Sequence, residues 1–417
     1  MAQLRDDCFV AGDALMPLAE ALEVLRQRVD AVDEHEAVPL REAFGRILAA
    51  DITAGRDVPP HDNSAVDGYA VHFDDLAIDG PTRLAVAGRA AAGHLLMGPA
   101  QRGQAIRIFT GAPMPPGPDT VFMDEDAQVD GDAVVLPAGL KRGSNRRHAG
   151  EDVRRGTLVL GAGMRLRPQE VGLAASIGRT DLPVVRRLKV AVFSTGDEVR
   201  DPGTDIAPGC IYDANRYALM GLLDDLGCAV TDLGILADNL GVIQGALAAA
   251  APEHDLLITS GGVSLGEEDH VKAAVEALGS LHFWRLAIKP GRPVALGQVG
   301  DTAFIGLPGN PVAVMVTFMV IARPLILLLA GCRDVAAPFF RVRAGFDHKK
   351  KPGRREFLRA RLVLGEDGPV AERFAADGAG ILTSMVEADG LVEVGEDRDY
   401  FGAGEMVNFL PFNEVAR

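Results

Sequence analysis

The side chains with the most chemical potential gather just after apolar runs. Thr259-Ser260-Gly261-Gly262-Val263-Ser264-Leu265-Gly266-Glu267-Glu268-Asp269 follows Leu256-Leu257-Ile258 and precedes an amphipathic run through Val271, Ala274, Val275 and Leu278. That order is strand, glycine loop, helix. Paired glycines let a backbone approach a ligand closely, and a helix start offers free N–H groups to an anion. Ser260, Gly261, Gly262 and Ser264 are therefore candidates for cradling a phosphate. Asp269 makes sense beside a bound phosphate mainly if a cation lies between them. An ordinary tight turn with an acidic helix start, which suits the helix dipole, explains the loop more plainly when it is taken alone.

Other motifs fall at equivalent places. Asp197 and Glu198 follow the apolar run Val190–Phe193, and Asp238 follows the run ending at Leu236. Lys289 and Arg292 follow Phe283–Ile288, and Asn310 follows Ala303-Phe304-Ile305 within Gly306-Leu307-Pro308-Gly309-Asn310-Pro311. In open α/β sheets ligands bind at the carboxyl ends of the strands. One rim would then carry carboxylates, two cations and a glycine cradle. Carboxylates beside an anion loop suit Mg²⁺, which takes oxygen ligands and commonly bridges to substrate phosphate. Lys289 and Arg292 suit a second anionic group.

The elements that position this rim read as a doubly wound sheet over residues 188–335, with strands and helices alternating. One helix is expected from an Asp213 cap through Leu219, Leu222, Leu223 and Leu226 to Gly227. Pro311 to Ala330 is apolar enough to suggest a bilayer span of roughly 20 residues. Arg323-Pro324 interrupts it, so a buried helix that Pro324 bends or restarts is expected. Residues 1–57 and 151–187 read as a discontinuous helical scaffold, with helices at Pro17–Val29, Ala43–Ala50 and Gln169–Ile177. Residues 58–150 read as an inserted, mostly β domain and 336–417 as a C-terminal, barrel-like β domain. The basic loop Lys141 to Asp152 suits an anion contact and a solvated turn equally.

Composition bounds the function. The 417 residues carry a net charge of −16 and a sequence pI near 5.0, against broad nucleic-acid or anionic-membrane binding. Cys8, Cys210, Cys228 and Cys332 form no C-x-x-C pair, which suits a reducing cytoplasm. The acidic N-terminus does not read as a signal peptide. No Walker loop and no G-x-G-x-x-G after a strand is present, and no Ser-His-Asp arrangement is evident.

Taken in order, the motifs resemble one family. Asp62-Asn63-Ser64-Ala65-Val66-Asp67-Gly68-Tyr69-Ala70, Thr110-Gly111-Ala112, Arg147 through Gly150-Glu151-Asp152, Ser194-Thr195-Gly196-Asp197-Glu198, Ser260-Gly261-Gly262-Val263-Ser264, Lys289-Pro290-Gly291 and Leu307-Pro308-Gly309-Asn310-Pro311 are similar to the molybdopterin molybdenumtransferases, relatives of the gephyrin E domain. The resemblance spans nearly the whole chain. It implies an elongated four-domain homodimer with a central molybdopterin-binding α/β domain. It also implies insertion of molybdate into adenylylated molybdopterin with release of AMP, assisted by Mg²⁺.

By motif position it carries over Asp67, Thr110, Asp152, Glu198, Asp238 and Asp269 as functional polar residues, and Pro308 and Pro311 as loop-shaping ones. Asp269 is the expected principal metal ligand, with Glu198 or Asp238 beside it. Arg354, Arg359 and Ser384 are candidates for molybdate contact. The implied active site lies between subunits, with the Asn63–Asp67 loop facing the glycine rim of the other chain. An adenylyltransferase and the recipient molybdoenzymes are possible partners. The sequence departs from the family pattern at Asn239, His270 and Arg292. Adenylylation of molybdopterin, and a non-enzymatic gephyrin-like scaffold, are the alternative functions.

Overall fold

The computed structural model describes residues 15–262 and 270–416; two candidate site residues, Ser264 and Asp269, lie outside them. The first helix, α1 (Leu18–Arg28), buries Leu18, Ala21 and Leu25, one stripe at helical spacing. Two short ladders tie the N-terminal segment to residues 158–185: His35–Pro39 pairs with Asp181–Val185, and Ile52–Thr53 with Leu158–Leu160. Val58 bridges Val153, so the chain leaves and re-enters this unit at one place. A second helix, α2 (Pro168–Ser176), completes it.

The helix expected over Ala43–Ala50 does not form. A single 3-10 turn spans Leu40–Glu42, and Gly45 then takes a left-handed φ of 74°. Ile47 and Leu48 form bridges to Arg165 and Val184. Adjacent apolar residues pointing to opposite sides of an extended chain mimic half of a helical pattern, which is why the reading failed.

Between Val58 and Val153 lies a six-stranded sheet. Its strands are β1 (Gly68–Val71), β2 (Thr82–Ala90), β3 (Gln104–Ile108), β4 (Thr120–Met123), β5 (Gln128–Asp130) and β6 (Ala133–Leu136). They run in the spatial order β4-β1-β3-β2-β6-β5.

The central unit contains β7 (Lys189–Thr195), α3 (Asn215–Asp225), β8 (Ala229–Leu236), α4 (Leu240–Ala250), β9 (Leu256–Ser260), α5 (His270–Leu278), β10 (Gly279–Arg285), β11 (Pro293–Val299) and β12 (Thr302–Leu307). The sheet order is β8-β7-β9-β12-β11-β10. All strands are parallel except β11, which is antiparallel to both of its neighbours. The period-2 alternation of a strand divides the core. Val190, Val192, Ile258 and Ile305 face α3 and the long apolar helix. Ala191, Phe193, Leu257 and Phe304 face α4 and α5. Each fully buried large side chain contributes about 1.5–3 kcal/mol. Helices thus cover both faces, as the doubly wound reading requires.

The long apolar helix is broken into α6 (Pro311–Thr317), a π turn over Phe318–Ala322, and α7 (Arg323–Leu329). Pro324 lies just after the π turn, so the shift in the helical hydrogen-bond pattern falls next to the residue that lacks an N–H. The apolar window of Pro311–Leu329 is 89% buried inside the protein, as a core helix should be. Asp213 lies one residue before the N-cap Ala214, yet its carboxylate does the capping work by accepting the Arg216 N–H at 3.1 Å.

The last strands are β13 (Phe340–Ala344), β14 (Arg355–Gly365), β15 (Gly368–Arg373), β16 (Gly390–Val394) and β17 (Met406–Pro411). Their pairing order β14-β15-β13-β17-β16 closes back onto β14, giving a five-stranded barrel. The strand expected over Phe283–Ile288 ends early, at Arg285. Ile288–Lys289 instead pairs in parallel with Arg355–Glu356 of the barrel.

Candidate active site

A cavity of about 580 Å³ opens between the carboxyl rim of the central sheet and the barrel. The sheet wall carries Glu198 after β7, Gly261 and Gly262 after β9, Lys289 to Pro293 after β10, and Pro308 to Asn310 after β12. The barrel wall carries Glu356 to Arg359 of β14, with Asp377 and Ala379 from the loop after β15.

Two of the rim glycines, Gly261 and Gly262, are required by geometry. Gly262 has φ +63°, and a Cβ there would lie 2.8 Å from both Thr195 Cγ2 and Val271 Cγ2. Gly261 has φ +83°, and a Cβ on Gly309 would come within 3.6 Å of the Gly261 Cα. Two loops therefore touch through bare backbone at the cavity floor. Asn215, the first residue of α3, locks the second loop by donating from Nδ2 to the Gly309 carbonyl at 2.7 Å. Sequence reasoning missed Asn215, although its place beside the Asp213 cap marks it as the start of a helix aimed at the rim.

Cations line the cavity in an acidic protein. Lys289 and Arg292 stand on the sheet wall and Arg359 on the barrel wall. Arg359 is buried at 6% exposure. Its Nε donates to Ser384 Oγ at 3.0 Å, and Nη2 to the carbonyls of Ala376 and Gly378 at 2.8 and 3.3 Å. These acceptors are neutral. Burial lowers its pKa, with the Asp377 carboxylate opposing that shift and Arg373 adding to it. It remains a cation at neutral pH all the same. Asp377 itself is engaged by Arg373, whose hydrogen bond holds the carboxyl below its ordinary value. A buried guanidinium bonded to neutral groups leaves a positive field for an anion to satisfy.

The expected residues divide into two sets. Glu198, Gly261, Gly262, Lys289, Arg292, Pro308, Asn310 and Arg359 share the cavity. Ser260 is buried directly behind Gly261, Pro311 opens α6 beside Asn310, and Ser384 backs Arg359. Asp67, Thr110 and Asp152 lie on none of its walls, and neither does Asp238. Asp67 and Thr110 form their own exposed cluster: Asp67 Oδ1 accepts the Thr110 N–H and hydroxyl, each at 2.7 Å. Those two bonds hold the Asp67 carboxyl below its ordinary value. The basic loop is partly tied down, with Arg146 Nε donating to Asp62 at 2.7 Å. Among the described residues no three His, Cys, Asp or Glu side chains converge as a metal cluster. Sequence reasoning also missed Glu356 and Asp377 on the barrel wall, although the Asp377-Gly378 turn signal could have drawn attention to the second.

Residues 16–178 match the MoeA N-terminal region (domain I and II), residues 191–327 a probable molybdopterin binding domain, and residues 341–412 the MoeA C-terminal region (domain IV). A molybdopterin molybdenumtransferase of Haemophilus influenzae is 38% identical over 404 residues, covering 96% of this chain and 100% of the relative. The chain belongs to the molybdopterin molybdenumtransferase family. A molybdopterin molybdenumtransferase of Bacillus subtilis is 31% identical, with 91% of this chain and 90% of the relative covered. The crystal structure of a molybdopterin biosynthesis MoeA protein from Pyrococcus horikoshii superposes with a TM-score of 0.81 at 30% identity, covering 95% of this chain and 100% of that one. The cavity described above therefore lies between the molybdopterin-binding region and the C-terminal region of a molybdopterin molybdenumtransferase family member.

Proposed function

We propose that this chain inserts molybdate into adenylylated molybdopterin, releasing AMP and completed molybdenum cofactor. Arg359 carries the reading: a buried cation with neutral partners, facing Lys289 and Arg292 across one cavity. Molybdate is a dianion and the pterin substrate carries phosphates, so three cations would lower the repulsion between them. The bare backbone at Gly261, Gly262 and Gly309 lets a phosphate approach closely. Asn310 and Pro308 shape the turn that closes this side.

Magnesium fits the donor chemistry. The ion usually keeps several waters and takes one or two carboxylates together with substrate phosphate oxygens. Glu198 stands on the cavity wall and can supply one carboxylate; Asp238, off that wall, and Asp269, outside the described residues, are further candidates by motif position alone. When bound, the ion supplies Lewis-acid polarisation of the phosphate anhydride. Lys289 and Arg292 hold the anionic substrate, and Arg359 orients the oxyanion through its donors.

The working unit in this reading is a homodimer in the cytoplasm. Asp67, Thr110 and Asp152 are exposed and stand away from the cavity of their own chain. A second copy supplies a cavity for them to complete. Upstream adenylyltransferase and downstream molybdoenzymes are the proposed partners.

The test is molybdate-dependent AMP release from adenylylated molybdopterin by the purified protein. No release with competent substrate overturns the proposal. Consumption of ATP to adenylylate molybdopterin, without need for molybdate, would favour the adenylyltransferase alternative.

A further inference from the structure

Behind the Lys289 ammonium runs a chain of polar groups with a buried middle. Lys289 Nζ lies 3.3 Å from Glu356 Oε1, and Glu356 Oε2 lies 2.9 Å from His348 Nε2. Arg373 Nη1 lies 3.3 Å from His348 Nδ1, and Arg373 also reaches Asp377 on the cavity wall. A guanidinium can only donate, so His348 Nδ1 accepts and its Nε2–H is given to Glu356. Both ends of the chain open into the cavity; Glu356 and His348 between them are 6% and 7% exposed. Lys289, by contrast, has a side chain 55% exposed.

We propose that Glu356, oriented by His348, is a positioning residue that fixes the Lys289 ammonium on the cavity wall. The proposal rests on the transferase reading for its substrate. A free lysine carries about 2 kcal/mol of rotamer entropy and is a mobile point charge. A buried carboxylate held by a neutral imidazole is a rigid anchor for it. The backbone adds to the anchoring, because Ile288–Lys289 pairs with Arg355–Glu356 in parallel register. Glu356 also tempers the positive field of the cavity. Removing its charge should bind the anion at least as well and turn it over less well.

Two readouts test this on the full-length protein. In competitive acetylation with acetic anhydride, read by mass spectrometry, Lys289 should label about three- to fivefold faster in Glu356→Gln and His348→Leu, the range of a half-exposed ion pair. His348→Gln, whose amide can donate to Glu356, should label like the parent. In the AMP-release assay Glu356→Gln should lose at least tenfold in kcat with no rise in the KM for molybdate, and His348→Gln should recover most of what His348→Leu loses. Equal labelling in all variants overturns the proposal, as does an unchanged kcat in Glu356→Gln or a His348→Gln as impaired as His348→Leu. Two independent lesions keep the test alive if one fails to fold. A parent protein that releases no AMP overturns the transferase reading, and the labelling pattern then decides the Lys289 proposal alone.

Discussion

Replacing Arg216 should detach the segment that presents Glu198. Arg216 is 3% exposed and serves three carboxylates. Its Nε donates to Asp213 at 3.0 Å and its Nη1 to Asp232 at 2.5 Å, while Nη2 reaches Asp201. Asp213 is 4% exposed, whereas the Asp232 and Asp201 side chains are 39% and 51% exposed. In Arg216→Met the last two carboxylates rehydrate, each losing under about 1 kcal/mol. Asp213 cannot rehydrate, and a stranded buried charge costs about 3–5 kcal/mol. Local opening should therefore rise by roughly a thousandfold, at about 1.4 kcal/mol per decade. The amides to follow are Ile211, bonded to the Glu198 carbonyl at 2.8 Å, and Asp213, bonded to the Arg200 carbonyl at 2.9 Å. Native-state hydrogen exchange should show both losing protection while amides of β9 keep theirs. Adding Asp213→Asn should restore most of the protection, because the neutral amide removes the stranded charge. Unchanged exchange in Arg216→Met, or no recovery in the double variant, would refute the reasoning.

Arg359→Met should weaken molybdate binding by about 10- to 100-fold, the equivalent of one lost charge-assisted hydrogen bond, measurable by calorimetry. Gly262→Ala adds a methyl 2.8 Å from Thr195 and Val271 at φ +63°; it should lower stability by about 2–4 kcal/mol and abolish turnover, read by urea titration and the AMP assay. Thr110→Val should raise the Asp67 pKa in a carboxyl-carbon NMR titration, since the Thr110 N–H and then its hydroxyl are what lower it. In the parent that depressed pKa means the Asp67–Thr110 contact is stabilising above the ordinary value of 3.8 and is lost as the pH falls through the lower, folded value.

The parts of the fold that the sequence announces are those where one residue type admits one geometry. Gly261-Gly262 and the Pro308–Pro311 turn could be placed on the rim because left-handed backbone and a helix-opening proline leave few alternatives. The doubly wound sheet was legible because its strands are short apolar runs ended by polar turns. Ala43–Ala50 was misread because Ile47 and Leu48 bury alternately along an extended chain. Glu356 was invisible for a different reason. It lies in a strand whose residues 356–360 are all buried, and it has no local feature to mark it. Its meaning depends on Lys289, 67 residues away in sequence. Asp67, Thr110 and Asp152 are named only through resemblance: all three are exposed, and the Asp67–Thr110 pair satisfies itself without pointing to any chemistry.

The parallel ladder between Ile288–Lys289 and Arg355–Glu356 gives the central unit a strand inside the barrel's hydrogen-bond system, extended by the Arg355 N–H to the Ala287 carbonyl at 2.7 Å. N–H and C=O groups belong to nearly every residue, whatever its side chain. The gap between the two walls is therefore gauged by peptide groups that substitution leaves in place. Mutation can recolour the interior of the cleft, changing charge or size at one wall, while its jaws stay at a fixed setting. Such a cleft is free to drift in what it grips without losing how far apart it holds the two halves.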